Sequence, residues 1–224
     1  MKKLLTLLPL CICLYANAQT SFNYNSDFKT ILAKTRDTAS ELSYTRLLKR
    51  FNKNDTTLSN FEVLALMIGF TDKEEYKPYA DLETTTAIYS LNDNGKFEQA
   101  MAKADSFLST HPLSVKALYE KSYAFHKLNN QDSAAVYLIR GIRIFKAMRY
   151  SGDGKTVDTP MFALGPTDGQ DFIHKALGAS IGTMGSSRDK AGNFLDMLEA
   201  EYKDGKTAMF YFIIQHATEK MFKE

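Results

Sequence analysis

The sequence predicts an α+β protein: an antiparallel helical array followed by a small, mainly antiparallel sheet with one or two helices. Three observations predict it. Residues 80–150 carry apolar positions at helical spacing, broken only by Asn94-Gly95, His111-Pro112 and Asn129-Asn130. Ser151-Gly152-Asp153-Gly154 then ends that pattern with a turn-rich break. Beyond it, runs such as Met209–Ile214 have the aromatic and β-branched character of strands. The 224 residues are 44% apolar and 24% charged, which is globular composition and excludes a disordered chain.

Met1–Ala18 reads as a secretory signal peptide. Lys2 and Lys3 supply its positive start, Leu4–Tyr15 its apolar stretch, and Ala16-Asn17-Ala18 a small-x-small cleavage site before Gln19. The apolar stretch is too short to span a bilayer, and no later run reaches the length a span needs. A periplasmic or secreted product is expected, with no transmembrane segment in the mature chain. Both cysteines, Cys11 and Cys13, fall in the leader, so the mature chain has no disulfide and no thiolate chemistry. Without Lys2 and Lys3 the cations equal the 26 acidic residues, which argues against a nucleic-acid or polybasic membrane-surface binder.

The elements follow in order. Residues 19–25 are polar and aperiodic, and are expected to be a flexible start. The helical domain spans 26–150 and the small α+β part 151–224, packed on the helices. Ser26 looks like the N-cap of a first helix bearing Phe28, Ile31 and Leu32. Ser40 is placed to cap a second, with Leu42, Leu47, Leu48 and Phe51. Ser59 is placed to cap a third, stopped by Gly69. Four helices follow at about 80–93, 96–109, 114–128 and 131–149, with links short enough to make neighbours antiparallel. After the break, Pro160–Leu164 reads as a strand and Asp168–Leu177 as a helix started by Asp168. Ala179–Ser186 alternates small and apolar residues. Phe194–Tyr202 and Thr207–Ile214 read as two strands around the Lys203–Lys206 turn, and Thr218–Phe222 as a closing helix.

Gly95-Lys96-Phe97-Glu98-Gln99-Ala100, with Ala104, Phe107 and Pro112, resembles the second half of a tetratricopeptide repeat. A shift of 34 residues takes Gly95 to Asn129 and Ala100 to Ala134. Two degenerate tetratricopeptide-like units are read here, with flanking segments needed to cap them.

The stretches Asn54–Leu58, Gly69-Phe70, Tyr76–Tyr79, Ser151–Thr156 and Phe210–Phe212, with Met221-Phe222-Lys223, are similar to the domain-of-unknown-function 4919 family. The resemblance covers Asp27 to Lys223. It implies an exported protein of Gram-negative bacteria, with a tetratricopeptide-like part joined to a small β part. It implies no catalytic residue. The chain departs from that pattern at Pro160-Met161, where Ala-Phe is usual.

Several patterns imitate active sites. Gly154-Lys155-Thr156 has the end of a phosphate-binding loop, but Arg149 stands where the first glycine is required. Gly178-Ala179-Ser180-Ile181-Gly182 matches a nucleophile elbow, with Asp196 and His216 following in hydrolase order. That elbow needs a strand before it and a helix after it, and the reverse is expected here. His111, His126, His174 and His216 lack metal-ligand spacing. No metal and no cofactor are expected. Asp37-Thr38-Ala39, Asp55-Thr56-Thr57 and Asp132-Ser133-Ala134 resemble a short acceptor pattern for O-glycosylation.

One arrangement favours partner binding. The first helix of each repeat unit would line a concave face, presenting Lys116, Tyr119, Tyr123 and His126 in one unit and Leu82, Thr85 and Tyr89 in the other. Tyrosines with cationic neighbours suit peptide recognition, although the same spacing suits a packed helix face. The leading expectation is a non-enzymatic scaffold that binds a peptide or another exported or envelope protein. A serine hydrolase using Ser180 is the rival. A purely structural envelope component, self-associating through an open edge such as Thr207–Ile214, is the third reading.

Overall fold

A computed structural model describes residues 22–222. The leader, its cleavage site and residues 19–21 lie outside the described residues. Seven α-helices come first: α1 (Tyr24–Arg36), α2 (Tyr44–Asn52), α3 (Asn60–Phe70), α4 (Asp81–Asp93), α5 (Phe97–Thr110), α6 (Val115–Lys127) and α7 (Gln131–Ser151). Then come β1 (Met161–Phe162), α8 (Pro166–Asp171) running into a π-helical turn (Phe172–Ala176), β2 (Ser180–Arg188), β3 (Phe194–Glu201), β4 (Thr207–Ile213) and α9 (Gln215–Met221). Among the described residues no helix is long and apolar enough to cross a membrane.

The expected flexible start is helical from Tyr24. Asn23, not Ser26, is its cap: the Asn23 side chain accepts from the amides of Asn25 and Ser26. Phe22 meets Phe162 edge-on at 6.1 Å, which ties this end to the core. Ser40 belongs to the turn before α2, where its hydroxyl accepts the Leu42 amide at 3.1 Å. Ser59 caps α3 as expected, reciprocated by Glu62 in a capping box. Gly69 does not stop α3 but lies inside it, because a Cβ there would crowd Thr35 and Tyr44 at 3.0 Å. The helix is buried from Val63 to Phe70, apolar on every side, and forms the centre of the N-terminal half.

The repeat register holds in three dimensions. Gly95 and Asn129, 34 positions apart, both adopt left-handed backbone (φ 70° and 59°) after their helices. Ala100 and Ala134 are both buried at helix crossings, and Ser122 donates its hydroxyl to the Ala134 carbonyl at 2.8 Å.

The sheet order is β1-β4-β3-β2, with β1 parallel to β4 and the other pairs antiparallel. β1 covers β4 only at Phe212 and Ile213, and the Gly154 carbonyl accepts the Tyr211 amide at 2.8 Å, so the expected open edge is closed over Tyr211–Ile213 and not over the first residues of the strand. The long edge is β2, rich in Ser and Gly and exposed or half-exposed throughout. The strand after Pro160 shortens to two residues, because the Ser151 hydroxyl takes the Phe162 amide at 2.7 Å and the chain turns into α8. One large interior joins α1–α3, the inner faces of α6 and α7, and the sheet. A smaller one, of Ile88, Ala100, Ala104, Phe107, Ala117 and Ala124, holds α4 and α5 to α6.

Candidate functional site

Ser114 caps α6 and sets its rotation, so Lys116 and Glu120 face α4 on one side and α8 with the π turn on the other. A groove of about 380 Å³ runs between these walls. Tyr89 of α4, half exposed at 50%, forms one rim. Gln170, Asp171, His174 and Lys175 form the other. At one end the groove narrows between Thr85, Lys116 and Thr167, over Asp81, His111, Tyr76 and Asp168.

The narrow end concentrates perturbed groups. Asp168 is not the cap of its helix. Gly165 holds that position, Pro166 follows at N1, and the Asp168 carboxyl reaches back to accept the Leu164 amide at 2.9 Å. Burial first, and then the neighbouring Asp171, push the Asp168 carboxyl up to about 7. Tyr76 donates its hydroxyl to the Leu164 carbonyl, and burial pushes its phenol well up. His111 stacks on Phe107 at 4.2 Å and holds the Glu75 carbonyl at 2.8 Å. Burial pulls its imidazole down, but the Asp81 carboxylate at 3.2 Å and the Glu75 and Phe107 carbonyls together outweigh this, so it lies above its ordinary value. One Asp171 oxygen is paired with Lys175 at 2.6 Å, while the other is buried without a hydrogen-bond partner. The groove thus offers charges of both signs beside an amphipathic rim, which matches hydrogen-bonding ligands better than purely apolar ones.

The predicted binding stripe divides. Thr85, Tyr89 and Lys116 line the groove. Thr85 is buried, with its hydroxyl bonded back to the Asp81 and Leu82 carbonyls at 3.2 Å. Tyr119 does not line it. Its ring lies over Gly141, where any Cβ would strike it, and tilts on Phe145 at 5.6 Å. Lys175 sits 5.2 Å above the ring. Tyr123 is exposed outside the groove, edge-on to Phe97 at 6.2 Å, and His126 faces Gln131 at 3.0 Å. Glu120, Asp171 and Lys175 escaped the sequence reading, which took Asp168 only as a helix start and His174 only as a histidine without metal-ligand spacing. Only the Asp168, Asp171, Lys175 spacing, one helical face, could have marked them.

The predicted turn is partly helix. Ser151 is the last residue of α7, and Gly152 is extended (φ −179°) rather than left-handed. Its need for glycine is steric, since a Cβ would strike the Pro160 carbonyl oxygen. Gly154 does carry a positive φ of 71°, and the Asp153 carboxylate ties the Lys155 amide and the Thr159 hydroxyl. The Gly154-Lys155-Thr156 stretch is thus a tied turn.

Ser180, Asp196 and His216 do not meet. Ser180 starts β2 opposite Glu201, whereas Asp196 pairs with Ser186 at the far end of the same ladder. His216 is buried, with Nε2 on the Ala163 carbonyl at 2.9 Å. Burial holds its imidazole down to about 3. Among the described residues no group of three or more His, Cys, Asp or Glu is placed to hold a metal ion. Thr38 and Thr56 are exposed in turns closed by the Asp before each, while Ser133 is half-buried at the start of α7.

No curated protein and no solved structure matches the chain. Residues 29–223, from within α1 to past the end of α9 and so including the sheet and the tied turn, match the family model described as a domain of unknown function (DUF4919), and the chain belongs to that family.

Proposed function

We propose that this is an exported, non-enzymatic interaction protein that holds a segment of another envelope protein in the groove between α4, α6 and α8. The observation that carries the reading is the groove itself. It has two walls, an exposed tyrosine on one rim, and Lys116 and Glu120 along its length. Tyrosine and long charged side chains are the residue types that anchor peptides. The separation of Ser180, Asp196 and His216 supports a binding role over hydrolysis.

Mature protein from Gln19 onward serves as bait in the native host's envelope fraction, with crosslinking and mass spectrometry as readout. The expected result is one enriched protein crosslinked at Lys116. Tyr89→Ala with Lys116→Glu lowers its capture by about tenfold or more, the size of one or two anchor contacts. Unchanged capture by that double variant rejects the groove. N-terminal sequencing of the protein from the envelope fraction tests export separately, with Gln19 as the expected first residue.

A further inference from the structure

The α7 face turned away from the groove has a different character. Leu138, Ile142, Lys146 and Arg149 follow one another at helical spacing along it. They form the floor of a second, wide cleft of about 910 Å³, flanked by Tyr119, Phe172 and Leu177. Leu138 and Ile142 are each 38% exposed, and adjacent Ile139, at 43%, extends the apolar surface beyond the cleft. Exposed apolar residues in a contiguous strip are a mark of an interaction surface, unlike single scattered ones.

The charge is one-sided. The cleft's twelve lining residues include three cations, Lys146, Arg149 and Lys175, and no carboxylate. Lys175 is committed to Asp171, and Arg149 donates to the Asp153 carbonyl at 3.1 Å. Lys146 makes no ion pair among the described residues and is exposed. The stripe from Leu138 to Arg149 covers twelve positions, or about 16 Å of helix. It is apolar in its first half and cationic in its second. The π-helical turn brings Phe172 and Lys175 against it from the side.

We propose that this cleft docks an acidic amphipathic helix of about three turns from a protein partner. The apolar face of that helix lies on Leu138, Ile142 and Leu177, and its carboxylates lie against Lys146 and Arg149. Charge complementarity selects the acidic sign. Breadth selects a helix over an acyl chain. A lipid site encloses most of its ligand, whereas this cleft is open to water and its apolar surface continues sideways to Ile139. The surface is distinct from the concave groove. Only Lys175 borders both, and the test leaves it untouched.

The test is a display selection of helical peptides with randomised surface positions against the protein from residue 19 onward, followed by anisotropy titration of the enriched peptides. The expected binders carry apolar residues at i, i+3, i+4 and i+7 with Asp or Glu beside them. Their affinity falls at least about tenfold in Lys146→Glu/Arg149→Glu. It falls similarly in Ile142→Ser, and weakens as NaCl rises from about 50 to about 500 mM. Lys116→Glu, in the other groove, leaves it unchanged. Ile142, Lys146 and Arg149 are exposed and Lys116 is half-buried in its groove, and matched circular dichroism confirms that each variant is folded. A selection that returns no binder, binders without acidic bias, or binders indifferent to Ile142→Ser overturns the proposal. So does palmitate binding that Ile142→Ser abolishes while no peptide binds, which would make the cleft a lipid site.

Discussion

Two interiors hold this molecule together, and they are made of different material. The larger is filled by big side chains with no solvent exposure to speak of: Phe51, Leu64, Phe162, Phe172 and Phe212. The smaller is mainly alanine, with Ile88 and Phe107. Alanines let α4, α5 and α6 approach closely, but each buries little apolar area. Helix α6 belongs to both, giving Leu118 to the larger and Ala117 and Ala124 to the smaller. The concave groove therefore has one wall, α8, fixed to the strong interior, and one, α4, fixed to the weak one. Local opening free energies follow buried apolar contacts, so α4–α5 is expected to open before the rest unfolds.

The comparison breaks most visibly in the larger interior. Phe172→Ala is expected to lower stability by ~3–5 kcal/mol, read as a lower urea midpoint for the whole molecule. A midpoint shift confined to part of the transition would show that the two interiors unfold separately.

Asp168, on the strong wall, gives the next effect through pH. Its carboxyl moves from 3.8 to about 7 on folding, so the folded state keeps its proton longer. The stability this provides is full below the unfolded value and is lost as pH rises through about 7. His216 acts in the opposite sense. Its imidazole falls from 6.5 to about 3 on folding, so its contribution is present above 6.5 and lost as pH falls through about 3. Asp168→Asn removes only the first dependence. The stability of wild type minus variant is expected to fall by ~1.4 kcal/mol per pH unit through that window. A pH-independent difference rejects the buried, protonated carboxyl.

Ile88→Ala probes the weak interior, with an expected cost of ~2–3 kcal/mol. Hydrogen exchange is the readout: amides of α4 and α5 should exchange faster, while those of α3 hold. Equal acceleration in both would erase the distinction between the interiors. The smallest effect is expected at Lys121, 3% exposed, whose ammonium joins Asp105 of α5 to the Tyr137 hydroxyl of α7 at 2.7 Å. Lys121→Met keeps the volume and leaves Asp105 in water, so unfolding by heat or urea should shift by less than ~1 kcal/mol.

These differences also explain what the sequence disclosed. The helices from α4 to α7 are legible to within about two residues, because Asn94-Gly95, His111-Pro112 and Asn129-Asn130 stop them by local chemistry. The β3–β4 hairpin is legible for the same reason. The groove is legible only on the α4 and α6 side. Its other wall lies some fifty residues downstream of Lys116, and no local rule brings α8 against α6. Tyr119 misleads because the space that draws its ring away is the missing side chain of Gly141. Asp168 resembles a helix cap until tertiary packing gives it another place, and the edge that Thr207–Ile214 resembles is closed only where β1 and the Gly154 carbonyl reach it.

The edge strand β2 sets how crowded this protein can safely become. Its ladder is bulged between Ile181 and Met184, and Gly182 lies against the carboxylates of Glu199 and Glu201, so a neighbour arriving in register meets negative charge. The Thr183 amide and hydroxyl hold the Glu199 carboxyl below its usual range, so Glu199 keeps its charge into moderately acid surroundings. Strong acid would neutralise it and turn a solvated margin into an adhesive one. Storage at low pH and high concentration would then favour fibrous or gelled material over dispersed molecules.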